Sequence, residues 1–184
     1  MLGTDEPRHS HNGNPQAQKQ SKTESRRQKG EILMTIKRLM WSINTELNHL
    51  LTFFDDEYSA KMGTDFEADL DEKILYWSLL CGEKDGDAFY SNFCKLFPFV
   101  KDYNLFTLAV FHEIGHIETE DEMIDDTDIR NTELSNEEYF NLFNEKIATE
   151  WAGNFISTHA MFTKHFDNKF TELLKKFYET NLDS

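Results

Sequence analysis

His112-Glu113-Ile114-Gly115-His116 puts two imidazoles and a carboxylate within five residues. On an α-helix four residues advance by about 400°, so His112 and His116 leave the same face one turn apart. Two neutral imidazoles at that spacing can hold one zinc ion, which favours four tetrahedral N, O or S donors, without cancelling its charge. Glu113 lies about 100° round the helix from His112, where it can reach a water held by the metal without being a ligand itself. Zinc lowers the pKa of such a water and polarises a scissile carbonyl, while the carboxylate takes the water's proton and passes it to the leaving amine. The pattern predicts Zn2+ as cofactor, His112 and His116 as metal ligands and Glu113 as the catalytic base of a peptide-bond hydrolase. Composition alone would produce such a match in about 3% of chains like this one. The surroundings raise its weight: the five residues follow Leu105-Phe106-Thr107-Leu108-Ala109-Val110-Phe111, an apolar run that belongs inside a protein. Two histidines and a glutamate there are costly unless they satisfy one another or a metal.

A catalytic zinc takes a third protein ligand. Glu145, 29 residues after His116, is the leading candidate, because Ala148 and Ala152 share its helical face and let two helices approach closely. Glu150 is the rival, on a face with Lys146 and Asn154. His159 stands near the end of the same helix, His165 belongs to the next element, and His49 falls on the polar side of the first helix.

Phe106-Thr107-Leu108-Ala109 followed by His112-Glu113-Ile114-Gly115-His116 resembles the motif helix of the ImmA/IrrE group of zincins. Asn144-Glu145-Lys146-Ile147-Ala148-Thr149-Glu150-Trp151-Ala152 is similar to the second motif of that group and of glutamate-zincins more widely. The zincin-like domain of ArdC-type antirestriction proteins is also similar. The resemblance spans roughly residues 103 to 156. It implies His112, His116 and Glu145 as zinc ligands, Glu113 as general base, and a bacterial, phage or mobile-element setting. Three positions depart from the pattern: Val110-Phe111 separate the Phe-Thr-Leu-Ala run from the first His, Glu120 stands where a further His is frequent, and Thr149 stands four after Glu145 where an acid is frequent. A register shifted by one would make Glu150 the ligand.

The elements that must position these residues are mostly helical. From Met34, Ile36, Leu39, Met40, Ile43, Leu47, Leu50, Leu51 and Phe54 recur at three- and four-residue spacing, predicting a core-facing helix. Phe66, Leu70, Ile74, Trp77 and Leu80 predict a second, set off by Gly63-Thr64-Asp65 and by Gly82 to Gly86. Phe89, Phe93 and Leu96 predict a shorter third, stopped by Pro98. Asn104 can cap a fourth over Leu105 to Ile117, apolar nearly all round and therefore central. Glu118 to Thr132 reads as a solvated, mobile acidic linker. Ser135 with Glu138 is a capping-box pattern opening a fifth helix with the stripe Tyr139, Phe140, Phe143, Ile147, Trp151 and Phe155. Phe162, Phe166, Phe170, Leu173, Leu174 and Phe177 mark the last. A strand fits only within Leu96 to Tyr103. The expected fold is mainly α: one zincin-like helical domain over residues 34–184 with at most a small β element.

Residues 1–33 are polar and read as a disordered tail. Lys29-Gly30-Glu31, encoded by purines, would spell a bacterial ribosome-binding site ahead of Met34, so that tail can be upstream sequence that is not translated natively. The chain's net charge is −15, and the tail's six basic and four acidic side chains leave −17 for residues 34–184. A body so acidic excludes an ordinary nucleic-acid binder. It suits a protein or peptide substrate, a basic one included, and its charge also admits an alternative, an acidic non-catalytic inhibitor or antirestriction protein imitating DNA. A zincin fold with purely structural zinc is the other. Two cysteines make no disulfide framework in a chain of this size, no run reaches about 18 apolar residues, and no secretory signal is visible. These features predict a cytoplasmic protein outside membranes.

Overall fold

The computed structural model describes residues 15–79, 83–125, 129 and 133–182. The fold is mainly helical with a small sheet, as expected. Helix α1 (Pro15–Leu51) is followed by strands β1 (Ser59–Met62), β2 (Glu67–Asp69) and β3 (Ile74–Trp77). Helix α2 (Glu83–Leu96), a 3-10 turn over Pro98–Asp102, helix α3 (Leu105–Glu118) and a second 3-10 turn over Glu120–Glu122 come next. Helices α4 (Asn136–Phe140), α5 (Phe143–Thr158) and α6 (Ala160–Leu182) complete the chain.

Helix α3 is central. Eleven of its 14 residues are buried, so its nearly all-round apolarity is matched by neighbours on most sides. Asn104 caps it, its side chain accepting from the Phe106 N–H at 2.8 Å. The buried Asp167 carboxylate of α6 accepts from the Asn104 N–H at 2.8 Å, placing negative charge at the positive end of the helix dipole. Ile43, Leu47, Leu50 and Leu51 of α1 are buried in one core with Phe166, Phe170 and Leu174 of α6.

Five expectations are corrected. Residues 66–77 are not a helix. They form the last two strands of a sheet ordered β1-β3-β2, with β3 parallel to β1 and antiparallel to β2. Apolar residues three and four apart fit a helix, but Ile74-Leu75-Tyr76-Trp77 is rich in β-preferring side chains. The turn before it holds Lys73 at φ 53°, a left-handed conformation that ends helices, and Asp69 Oδ1 accepts from the Glu72 N–H at 3.0 Å. The Trp77 indole N–H donates to Asn44 Oδ1 at 2.8 Å, and Asn48 Oδ1 accepts from the Ala60 N–H at 3.0 Å, so α1 side chains hold the sheet. Second, the helix opened by Ser135 stops at Phe140 and restarts at Phe143. The capping box itself forms as predicted, but Asn141, which donates from its side chain to Glu137 O at 2.7 Å, ends the first piece. Third, Leu96–Tyr103 contains a 3-10 turn, not a strand, because Pro98 lacks the N–H that a strand ladder needs. Fourth, residues 15–33, expected to be disordered, are helical. Pro15 suits a first helical position, and Gln, Lys, Glu and Arg are good helix formers; Arg27 to Glu31 are exposed, so propensity and the Arg27–Glu31 pair at 3.0 Å support this part rather than burial. Fifth, Gly86, expected in a break, lies inside α2. Residues 1–14, 80–82, 126–128 and 130–132, which carry part of the expected tail, break and linker, lie outside the described residues.

Candidate metal centre

The centre is built where α3 crosses α5. A Cβ on Gly115 would lie 2.5 Å from Ala148 O and 3.1 Å from Ala148 Cα, so only glycine permits this approach. Ala148 and Ala152 are fully buried on the facing side. The small residues thus do what their spacing promised, and the first turn of α5 meets the second half of α3.

Three donor atoms converge at that crossing. His112 Nε2 lies 3.1 Å from His116 Nε2 and 3.1 Å from Glu145 Oε2, and His116 Nε2 lies 3.5 Å from the same Oε2. All three residues are buried. Tetrahedral zinc with ligands at about 2.0–2.1 Å has donor–donor edges of about 3.3 Å. The triangle therefore has the size of one face of such a site, and two imidazoles with one carboxylate are a zinc donor set. Among the described residues, this is the group of His, Cys, Asp and Glu able to hold a metal ion. Glu150 is exposed on the opposite side, 3.8 Å from Lys146. His49, His159 and His165 are also exposed; His159 stacks on Phe155 with ring centroids 4.3 Å apart.

Burial acts to raise the Glu145 pKa, but its contacts with the His112 and His116 rings outweigh it and keep the carboxyl far below the usual range. Glu113, only 8% exposed, has the opposite balance. Burial pushes its pKa up, His112 and His116 oppose this, and Glu145 and Glu67 reinforce it. The two carboxylates of the site are thus driven in opposite directions.

A cleft of about 910 Å³ opens over these residues. His112, Glu113, His116 and Glu145 line its floor, β2 supplies Glu67 and Ala68 on one wall, and Phe89, Tyr139 and Phe140 supply the other. Phe89 meets the His112 ring edge-on, with centroids 5.1 Å apart. Tyr139 and Phe140 come from α4, ahead of its break with α5. Beyond α3 the acidic segment is tied down at its start: the Tyr58 hydroxyl donates to Glu118 Oε1 at 2.9 Å, and Lys73 pairs with Glu120. Asn144 then clamps the backbone of Ile124, accepting from its N–H at 3.0 Å and donating to its C=O at 2.8 Å. Glu118 to Ile124 is thus fastened to the body of the protein and Met123 lines the cleft, while Glu118, Asp121, Glu122 and Ile124 are exposed, as expected of a solvated segment.

Two residues at the centre escaped sequence reasoning. Asn144 carried no signal beyond its place before Glu145. Thr149, buried, sets its Oγ1 3.1 Å from His112 Nδ1; its position four after Glu145, on the same face, was the available clue. No described helix is long and apolar enough to cross a membrane. No family of known proteins, no curated protein and no solved structure matches the chain.

Proposed function

We propose that this protein is a zinc-dependent metallopeptidase that hydrolyses peptide bonds in a cytoplasmic protein substrate. The observation that carries the reading is the triangle of His112 Nε2, His116 Nε2 and Glu145 Oε2 at 3.1, 3.1 and 3.5 Å on the floor of an open cleft, with buried Glu113 beside it. His112, His116 and Glu145 would hold zinc, which supplies Lewis-acid charge to the scissile carbonyl and to the attacking water. Glu113 is the base: its carboxylate takes a proton from the attacking water and delivers it to the leaving nitrogen. β2 is the edge of its sheet and lies on the cleft wall, so an extended peptide can align beside it. Phe89, Tyr139 and Phe140 exclude water from the bound segment. The resemblance to the ImmA/IrrE group supports the same roles and a bacterial or phage origin.

Metal analysis of purified protein should give about one zinc per chain, and His112→Ala should abolish it. A comparison of proteome fragments generated by wild type and by Glu113→Gln tests hydrolysis. Glu113→Gln should retain zinc and lose cleavage by about 10²–10⁴-fold, the range for loss of a general base. Identical fragments from both proteins would sink the peptidase reading and leave zinc in a structural role.

A further inference from the structure

The described helices show how a threonine hydroxyl is ordinarily spent here. Thr35, Thr45, Thr158, Thr163 and Thr180 each donate to the carbonyl four residues earlier in their own helix, at 2.8–3.2 Å. Thr149 has Glu145 at that place, yet its hydroxyl turns across the helix crossing to His112 Nδ1, 3.1 Å away. Thr149 is 2% exposed and His112 is 4% exposed, so the contact is shielded from water and directional. A neutral imidazole carries one proton. If Thr149 donated to Nδ1, the ring proton would sit on Nε2 and point at His116 and Glu145, where a cation would repel it. If Nδ1–H donates to Thr149 Oγ1, the Nε2 lone pair faces the triangle.

We propose that Thr149 is the positioning residue of His112: its hydroxyl oxygen accepts the Nδ1 proton and thereby fixes the tautomer and ring plane in which Nε2 can bind a divalent metal ion. The anchor is a neutral hydroxyl. It orients the ring without adding a second anionic charge beside Glu145. Metal-binding histidines held through their second nitrogen lose about 10–100-fold in metal affinity when that partner is removed. The proposal rests on the metal site described above but not on hydrolysis.

The test is zinc affinity, measured on the full chain by competition with a chromophoric chelator. Two pairs differ by the hydroxyl: wild type against Thr149→Val, and Thr149→Ser against Thr149→Ala. Val and Ala should each bind zinc about 10–100-fold more weakly than their hydroxyl partner, and Ser should restore affinity to within about threefold of wild type. If Val does not fold, the Ser and Ala pair decides alone, since both lack the methyl. In zinc-loaded wild type and Ser, the His112 Nδ1–H should appear in long-range 1H–15N spectra, and it should exchange away in Val and Ala, a signature that mere packing loss does not produce. Zinc affinities within twofold inside each pair overturn the proposal, and so does a wild type that takes up no zinc. A wild type that binds zinc with the expected hydroxyl dependence but cuts no peptide bond defeats the hydrolytic function and leaves the role of Thr149 standing.

Discussion

Two helix pairs in this molecule are packed on different principles. Between α1 and α6 the contact is large and apolar. Ile43, Leu47 and Leu50 of one face Phe166, Phe170 and Leu174 of the other, and the Phe53 and Phe162 rings meet edge-on at 4.7 Å along the rim. Between α3 and α5 the contact is close and sets a polar centre beside an apolar stretch, where Phe111 stacks on Phe155 with ring centroids 5.7 Å apart. Gly115 lies on Ala148, and His112, His116, Glu145 and Thr149 are buried together. The first pair gains stability from area removed from water. The second buries apolar area too, but it also buries polar groups that are tolerated only while they satisfy one another. The difference separates what holds the chain folded from what the fold is for, and substitutions on either side should show it.

The largest loss of stability should come from the apolar pair. Phe170 is fully buried and meets Phe106 at 5.2 Å, so Phe170→Ala should cost about 3–5 kcal/mol. Chemical denaturation measures this. Zinc affinity of the protein that remains folded should stay near that of wild type, since the rings Phe170 meets, Phe106 and Phe166, are not donor residues. A variant of wild-type stability would mean that this pair does not anchor the core. Gly115→Ala should reverse the pattern. The new methyl meets backbone rather than a movable side chain, so overpacking should cost about 1–3 kcal/mol and move α5 away from α3. Zinc binding should then fall by far more than in Phe170→Ala. Equal zinc affinity in the two variants would erase the distinction between the pairs.

How much of each pair could be read from sequence follows from the same distinction. The stripe of α1 and that of α6 were legible because area burial repeats at helical spacing. The α3–α5 site was legible in part. An apolar run with two histidines and a glutamate inside it is conspicuous, and Ala148 and Ala152 pointed to the side on which Glu145 would meet them. Thr149 was noticed only as a departure, because spacing does not say whether a hydroxyl bonds its own helix or a neighbour. The sheet was misread, since strands of three or four residues are too short to display a period of two, and Phe66, Ile74 and Trp77 fit a helical spacing equally well. The break at Asn141 was missed because neither proline nor glycine marks it; only the asparagine hinted at a stop.

Glu113 sharpens the comparison from the functional side. A carboxyl whose pKa is higher folded than unfolded costs stability wherever it is ionised, so the cost is present at neutral pH and vanishes as pH falls below the unfolded value. Burial is the main cause of that rise in Glu113. Replacing it by neutral Gln should therefore stabilise the zinc-free protein at pH 7, by about 0.5–2 kcal/mol as is common when a functional strain is relieved. The gain should fade when melting is repeated near pH 4. A destabilised Glu113→Gln at pH 7 would place Glu113 among the groups that hold the fold.

The smallest effect belongs to the polar rim of the apolar pair. Lys169 Nζ lies 2.6 Å from Glu46 Oε2 and 5.7 Å from the centroid of the Phe166 ring, but the two side chains are 34% and 28% exposed. Screening by water and salt limits such a pair to about 0–1 kcal/mol. Lys169→Ala should fall in that range by chemical denaturation and approach zero in 1 M salt, while zinc affinity stays unchanged. At the α3–α5 crossing a single charge, the Glu145 carboxylate, is 3% exposed and belongs to the metal triangle. Glu145→Gln should leave a protein that zinc no longer stabilises against heat, whereas zinc should raise the melting temperature of Lys169→Ala as much as that of wild type. If Lys169→Ala instead costs more than Gly115→Ala, the α1–α6 contact depends on its ion pair, and the contrast between an apolar scaffold and a polar site fails at its weaker end.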